Sequence, residues 1–274
     1  MEKVNIYYMS DLHLEMRNRN WVKKILCSKI KISNKLPGTY YILVLAGDIG
    51  NPYMDSWKEL IKHCHVVFDV VLYVSGNHEY YHRRAERSMG EVDEYILNSF
   101  KVYGNVYYLN NQYMDVNLES PKRTVRFIGT TLWTRISDTQ KDAVMNTLND
   151  FRNIYSESGK LWSIDSLNAM CSRNCSYLSE NTLNMYDTVV ISHHVPSPSL
   201  IPERYACYGS ISNAYSVEMK ELYQKDNVKY WIFGHSHGNT FKLMDGCLFV
   251  SNCMGYTHET DIYANFDASR SILL

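Results

Sequence analysis

Five short apolar runs in this chain each end in a polar cluster of one chemical kind. Ile6-Tyr7-Tyr8-Met9-Ser10 runs into Asp11-Leu12-His13, and Ile42-Leu43-Val44-Leu45-Ala46-Gly47 runs into Asp48. Val70-Val71-Leu72-Tyr73-Val74 runs into Ser75-Gly76-Asn77-His78-Glu79. Val189-Val190-Ile191-Ser192 runs into His193-His194, and Tyr230-Trp231-Ile232-Phe233-Gly234 into His235-Ser236-His237. Packing does not ask for such endings, because a buried imidazole or carboxylate without a partner is costly. Side chains of this kind at five strand ends ask for a common partner, and a pair of metal ions is the simplest one. If the segments stay extended, Asp-x-His and His-x-His each place two side chains on one face, so both reach one cluster.

The elements that must carry these clusters are legible. The apolar runs are short and β-branched and read as buried strands. Between the first three lie helical spacings at 20–32 and 54–65, and a charged amphipathic helix follows at 83–101. The order is βαβαβα, which predicts parallel strands with right-handed crossovers. Short strands then read at 106–109, 113–116 and 125–132. Residues 138–182 are helical and polar and form the candidate insertion in an otherwise single domain of 274 residues. A proline-rich loop follows His194, a helix reads at 214–225, and a hairpin turns at Asp245-Gly246. Loops at the C-terminal ends of strands are where open α/β sheets put their chemistry.

Composition narrows the function. Lys+Arg (28) and Asp+Glu (29) nearly cancel, so the chain has no general attraction for nucleic acid or for an anionic membrane. Seven scattered cysteines without a CxxC pair fit neither a disulfide framework nor a zinc ribbon and point to a reducing, cytoplasmic setting. The early first strand leaves no room for a signal peptide, and no apolar run approaches the ~18 residues of a spanning helix.

The ordered set Asp-x-His, Gly-Asp, Gly-Asn-His-Glu, His and Gly-His-x-His, from position 11 to 237, resembles the signature of the calcineurin-like metallophosphoesterases. Thr131-Leu132-Trp133, Asn149-Asp150-Phe151-Arg152, Pro202-Glu203-Arg204-Tyr205 and the closing Asn252…Gly255-Tyr256 resemble a bacterial and viral branch of uncertain substrate. The resemblance implies an α/β fold, a four-layer α/β sandwich of mixed sheets flanked by helices. It implies one metal held by Asp11, His13, Asp48 and His237, and another by Asp48, Asn77, His193 and His235, with Asp48 bridging. Imidazole, carboxylate and amide ligands together suit Mn²⁺, Fe or Zn²⁺ better than Mg²⁺ or Ca²⁺. Two such ions about 3.5–4 Å apart generate a hydroxide near neutral pH and clamp an in-line displacement at phosphorus.

In the family pattern His78 faces the substrate and protonates the leaving oxygen or stabilises phosphoryl charge. Glu79 is read as a structural partner of the site. Asn51, His194, Arg204 and Tyr256 are candidate substrate contacts, Arg204 as a bidentate phosphate ligand. One departure is Met254, where relatives of the narrower branch often carry Arg. The expected activity is hydrolysis of a small or nucleotide-like phosphoester, diester ahead of monoester, by attack of a metal-bridging hydroxide. The alternatives are a nuclease acting on single strands and a non-catalytic scaffold of the same fold. Sequence leaves the oligomeric state open.

Overall fold

The computed structural model describes residues 2–82, 86–157, 159–205, 211 and 214–274. Two sheets pack face to face with helices outside them. The first has strand order β11-β1-β2-β3-β4, made of β1 (Lys3–Met9), β2 (Thr39–Ala46), β3 (Val70–Val74), β4 (Val106–Tyr108) and β11 (Ser271–Leu273). Strands β1 to β4 pair in parallel, as the βαβαβα order predicts, and β11 closes the edge antiparallel to β1. The second sheet has order β5-β6-β7-β8-β10-β9. It consists of β5 (Gln112–Glu119), β6 (Lys122–Thr130), β7 (Asp187–Ser192), β8 (Val228–Ile232), β9 (Phe241–Met244) and β10 (Cys247–Val250). Both hairpins are antiparallel, and β6-β7-β8-β10 is parallel. The β9–β10 turn falls on Asp245-Gly246, both with positive φ as the favoured hairpin turn requires.

The period-two alternation of each strand divides the core. Val4, Ile6, Tyr8, Ile42, Val44 and Ala46 point between the sheets, against Phe127, Val189, Ile191 and Ile232. Leu43, Leu45, Val71 and Tyr73 point outward, beneath Trp57, Leu60 and Ile61 of helix Asp55–Val67 and Val92 and Ile96 of helix Met89–Phe100. Burial on both faces makes the runs continuously apolar. The outer face of the second sheet packs Ile128, Val190, Trp231 and Phe249 with Leu178 of helix Ile164–Asn181.

Three expected helices change. The segment 83–101 is helical only over Met89–Phe100, because Ser88 and Glu91 form a capping box that starts the helix there; its residues 83–85 lie outside the described ones. Residues 214–225 are helical only over Lys220–Tyr223. There Val217 N and Met219 N donate to Val195 O and Pro196 O, so the backbone pairs with the loop after His194 instead. The helical segment 138–182 divides into Lys141–Thr147, Asp150–Asn153 and Ile164–Asn181. Met254 is fully buried in the apolar core beneath the first sheet. Among the described residues no helix is long and apolar enough to cross a membrane.

Candidate metal centre

The C-terminal ends of β1, β2, β3, β7 and β8 meet along one edge of the sandwich and bring their polar clusters together. Asp11, His13 and His237 offer ligand atoms within 4.8 Å of one another, and so do Asp48, His193 and His235. Asp48 stands between the groups: Oδ1 is 3.4 Å from His193 Nε2, and Oδ2 is 4.0 Å from His13 Nε2. Asn77 joins the second group, with Oδ1 3.1 Å from His193 Nε2.

The local backbone is not the extended one expected of Asp-x-His and His-x-His. Asp11, His13, Asp48, His235 and His237 all have φ between 45° and 67°, in the left-handed region. Each such residue without a glycine costs roughly 1–2 kcal/mol, so the surroundings must hold it there. They do so through bonds between strand ends, two within the first sheet and one across the two sheets. Asp11 N donates to Gly47 O, His13 N to Asp48 O, and His235 N to Asp11 Oδ1, each at 3.0 Å. The left-handed turns swing the side chains to one side; simple alternation does not. Two glycines permit the approach: a Cβ on Gly76 would stand 2.2 Å from Asp48 Oδ1, and one on Gly234 would stand 2.6 Å from Asp11 Oδ2.

The hydrogen bonds behind these groups decide what they present inward. His13 Nδ1 donates to Glu15 Oε1 at 3.1 Å and His237 Nδ1 to Glu259 Oε2 at 2.5 Å. In the neutral ring each Nε2 is then a lone pair, and the two lie 3.0 Å apart, with Asp11 Oδ1 3.5 Å from His237 Nε2. His193 Nδ1 donates to Ala46 O, which turns its Nε2 toward Asn77 Oδ1, Asp48 Oδ1 and, at 3.1 Å, His235 Nδ1. Asn77 is held in that sense because its Nδ2 donates to both Asp150 Oδ1 and Tyr81 Oη at 2.8 Å. Burial pushes the His235 pKa well down and keeps that ring neutral. With the rings neutral, the Nε2 atoms of His13 and His237 face each other as acceptors and His193 Nε2 faces the oxygens of Asn77 and Asp48, contacts that a metal ion would resolve. Without one, burial opposes the His193 charge but Asp48 outweighs it and pushes its pKa up to about 9, so a proton takes that place. Imidazoles whose second nitrogen is tied to a carboxylate or carbonyl are the usual form of a metal-ligating histidine. The residues fit a metal pair.

Glu79 lies deeper and is fully buried. It accepts from Asp48 N, Ile49 N and Gly76 N at 2.8–3.0 Å and from Tyr73 Oη at 2.7 Å, tying the β2 loop to the β3 loop. His78 stands at the mouth of the site. Its Nδ1 donates to Glu15 Oε1 at 3.0 Å, and its Nε2 meets Tyr256 Oη at 3.0 Å. Burial opposes its charge, but Asp48 and Glu15 outweigh burial and push its pKa up to about 9. A cavity of about 220 Å³ opens here, lined by His78, Tyr81, Asp150, Tyr215, Tyr256 and Glu259 among others.

The candidate substrate contacts divide. Tyr256 lines the cavity, its ring 4.3 Å from that of His13. His194 is buried behind His235, with Nδ1 on Thr131 O and its ring centroid 4.1 Å from that of His235; burial takes its pKa down to about 3. Arg204 donates to the carbonyls of Ser236 and His237, at 3.1 and 2.6 Å, and so props the His235–His237 loop from behind. Asn51 accepts from Tyr53 N as a turn residue and borders a neighbouring cavity. Sequence reasoning did not find Glu15, Asp150 or Glu259 as partners of the site. Asp150 had a weak signal, as part of a stretch resembling the narrower branch.

Comparison with known proteins gives the family and the fold. A family model described as calcineurin-like phosphoesterase matches residues 4–239. Uncharacterized protein L509 of Acanthamoeba polyphaga mimivirus is 29% identical over 263 residues, 92% of this chain and 91% of that protein. The crystal structure of phosphopantetheinyl hydrolase from Mycobacterium tuberculosis superposes with a TM-score of 0.68 at 16% identity, covering 98% of this chain and 96% of that one. Protein TT1561 of Thermus thermophilus gives 0.49 at 13% identity, covering 98% and 97%. With a family match across most of its length and this fold beneath it, the chain belongs to the calcineurin-like phosphoesterases, enzymes that hydrolyse phosphoesters with bound metal.

Proposed function

We propose that this enzyme cleaves a small phosphoester, a diester in preference to a monoester, with Asp11, His13, Asp48 and His237 holding one metal ion and Asp48, Asn77, His193 and His235 a second. The observation that carries the reading is the convergence of metal-ligating atoms in two adjoining groups, with Asp48 between them. When bound, a pair of Mn²⁺, Fe or Zn²⁺ ions acidifies water and neutralises charge on a phosphoryl group. The chain's own residues do the rest. Glu15, Glu259, Asp150 and the Ala46 carbonyl fix the ring and amide orientations before substrate arrives. His78 is held through Nδ1 by Glu15 Oε1, so its Nε2 faces the cavity, placed to give a proton to the departing ester oxygen. Tyr256 keeps its hydroxyl protonated, because burial raises its pKa, and so offers the phosphate a neutral donor.

The preference for small substrates rests on the narrowness of the cavity and on its lining. Tyr205 and Tyr215 stack at 5.9 Å on its wall, which suits an aromatic base. Polymer binders instead gain affinity by neutralising successive phosphates along a basic track, and the nearly balanced charge provides none in bulk. A hydrolysis screen with added Mn²⁺ tests the reading on aryl mono- and diesters, cyclic nucleotides and single-stranded oligonucleotides, each across a salt series. Small diesters are expected to give the highest kcat/KM. Higher efficiency on the oligonucleotide, falling steeply with salt, replaces the reading with a nuclease; no turnover on any of the small esters overturns the small-diester reading.

A further inference from the structure

The near-zero net charge of the chain hides an uneven distribution. Residues 16–47 contain seven Lys or Arg and no Asp or Glu, so all 29 carboxylates lie elsewhere. Four of the seven stand on three consecutive helical pieces, Arg19–Trp21, Val22–Leu26 and Cys27–Lys29. These bury Val22, Leu26 and Cys27 in the core beneath the first sheet and leave Lys23, Lys24, Ile25 and Ser28 exposed. Two of the seven cations are neutralised: Arg19 Nη2 lies 2.9 Å from Glu59 Oε2, and Lys35 Nζ 2.7 Å from Asp69 Oδ1. Arg17, Lys23, Lys24, Lys29 and Lys31 pair with no carboxylate among the described residues. Asp55 and Asp261, on the two helices packed against the segment, form no ion pair with it, and Lys58 and Lys62 of the helix Asp55–Val67 are exposed and add to the positive side.

A positive face of this kind fits an anionic partner, and the apolar side chains within it decide which. Trp21 and Ile25 are one helical turn apart among the lysines, Trp21 half-buried and Ile25 41% exposed. Met16, 44% exposed, precedes them. Aliphatic side chains gain nothing from a sugar–phosphate backbone, whereas they lose their contact with water at the headgroup–acyl boundary of a bilayer. Single-stranded nucleic acid instead asks for aromatic faces on which bases stack. Here cations already stand over the rings: the Arg17 guanidinium is 4.6 Å from the Trp21 ring centre and 5.8 Å from that of Tyr263, and Lys29 Nζ is 5.6 Å from the Tyr263 ring. Lysine and arginine around Trp and an aliphatic residue make up a segment suited to lie at a membrane surface.

We propose that the face formed by Arg17, Lys23, Lys24, Lys29 and Lys31, with Trp21 and Ile25 among them, docks this enzyme on an anionic lipid surface. Near such a surface each Lys or Arg contributes about fivefold to binding, so the five unpaired cations together supply roughly three orders of magnitude. The attraction falls off within a Debye length and weakens as salt rises. Met16 also borders the cavity beside His78, so docking sets the lipid surface close to the mouth of the metal site. The proposal is independent of which phosphoester the enzyme cleaves.

Co-sedimentation of the full chain with sucrose-loaded vesicles tests it without any substrate. Vesicles of phosphatidylcholine alone are compared with vesicles containing about one third phosphatidylserine, each at low and at physiological salt. The protein is expected to sediment with the phosphatidylserine vesicles only, and less at the higher salt. Lys23→Gln and Lys24→Gln together replace two exposed cations without touching the core, and are expected to weaken binding about 25-fold. Lys229→Gln with Lys242→Gln, exposed cations on the second sheet, is expected to leave it unchanged. The proposal is overturned if the unmodified protein does not sediment with phosphatidylserine vesicles at low salt, or if it binds both kinds of vesicle equally. It is overturned as well if the Lys23→Gln/Lys24→Gln protein binds as tightly as the unmodified one. A fluorescent single-stranded oligonucleotide, followed by anisotropy, separates lipid from nucleic acid: binding to it in place of the vesicles assigns the face to nucleic acid and removes the lipid reading.

Discussion

Removing Asp150 tests how the site is preorganised, because this carboxylate touches a proposed ligand without being one. Asp150 comes from the helical segment that follows β6, far in sequence from Asn77, and is 4% exposed. Its Oδ1 accepts from Asn77 Nδ2 at 2.8 Å and from Tyr81 Oη at 2.5 Å. In Asp150→Ala the Asn77 amide keeps only Tyr81 Oη and becomes free to turn its nitrogen toward the second metal group. A hydrogen bond to a charged acceptor is worth about 1.5–3 kcal/mol, which corresponds to roughly 10- to 100-fold in an equilibrium constant. Loss of a partner behind a metal ligand costs about 10–100-fold in metal affinity by independent experience, so the two estimates agree. Asp150→Asn keeps a carbonyl oxygen able to accept from Asn77, and its loss is expected to stay below about tenfold. Competition titration with a chromogenic chelator, read as two successive Mn²⁺ affinities, measures the effect. The weaker binding is expected at one metal of the pair. An affinity within twofold of the unmodified protein at both metals, with the fold intact by circular dichroism, refutes the claim that Asp150 holds Asn77 for metal.

Three further outcomes are expected. Asp48→Ala loses both metals together, because its two carboxylate oxygens face both groups; elemental analysis showing a full complement contradicts the ligand scheme. His78→Ala keeps nearly all its metal while turnover falls about 10²–10⁴-fold, and less for nitrophenolate esters, whose leaving group needs little protonation. An equal loss for good and poor leaving groups removes the acid role, and loss of metal makes His78 a ligand. Gly76→Ala drives a methyl against Asp48 Oδ1 and the His193 ring; overpacking of this kind costs about 1–3 kcal/mol, so denaturant unfolding is expected to shift by that amount and metal affinity to fall with it.

The sequence by itself determined ten of the eleven strands, the parallel order of β1 to β4 and which residues stand at their ends, but not the antiparallel edge strand β11. These follow from local rules: an apolar run buries on both faces wherever it lies, and a polar cluster after it must emerge at the sheet edge. The resemblance of those clusters to a known signature then carried the family. Local rules failed where distant contacts decide conformation. Asp11, His13, His235 and His237 read as an alternating extended pair on each strand, yet all four are left-handed. Bonds such as His235 N to Asp11 Oδ1, joining positions 224 residues apart, impose that geometry. The same is true of orientation. Glu15, Asp150 and Glu259 have no periodic or motif signal of a metal site, but each fixes which atom a histidine or asparagine turns inward. Arg204 and His194 illustrate the converse. Their side chains suit phosphate chemically, but packing turns Arg204 onto the carbonyls of Ser236 and His237 and seals His194 behind His235. Residue type sets what a side chain is able to do, whereas only the folded surroundings fix the atom it presents and the direction in which it presents it.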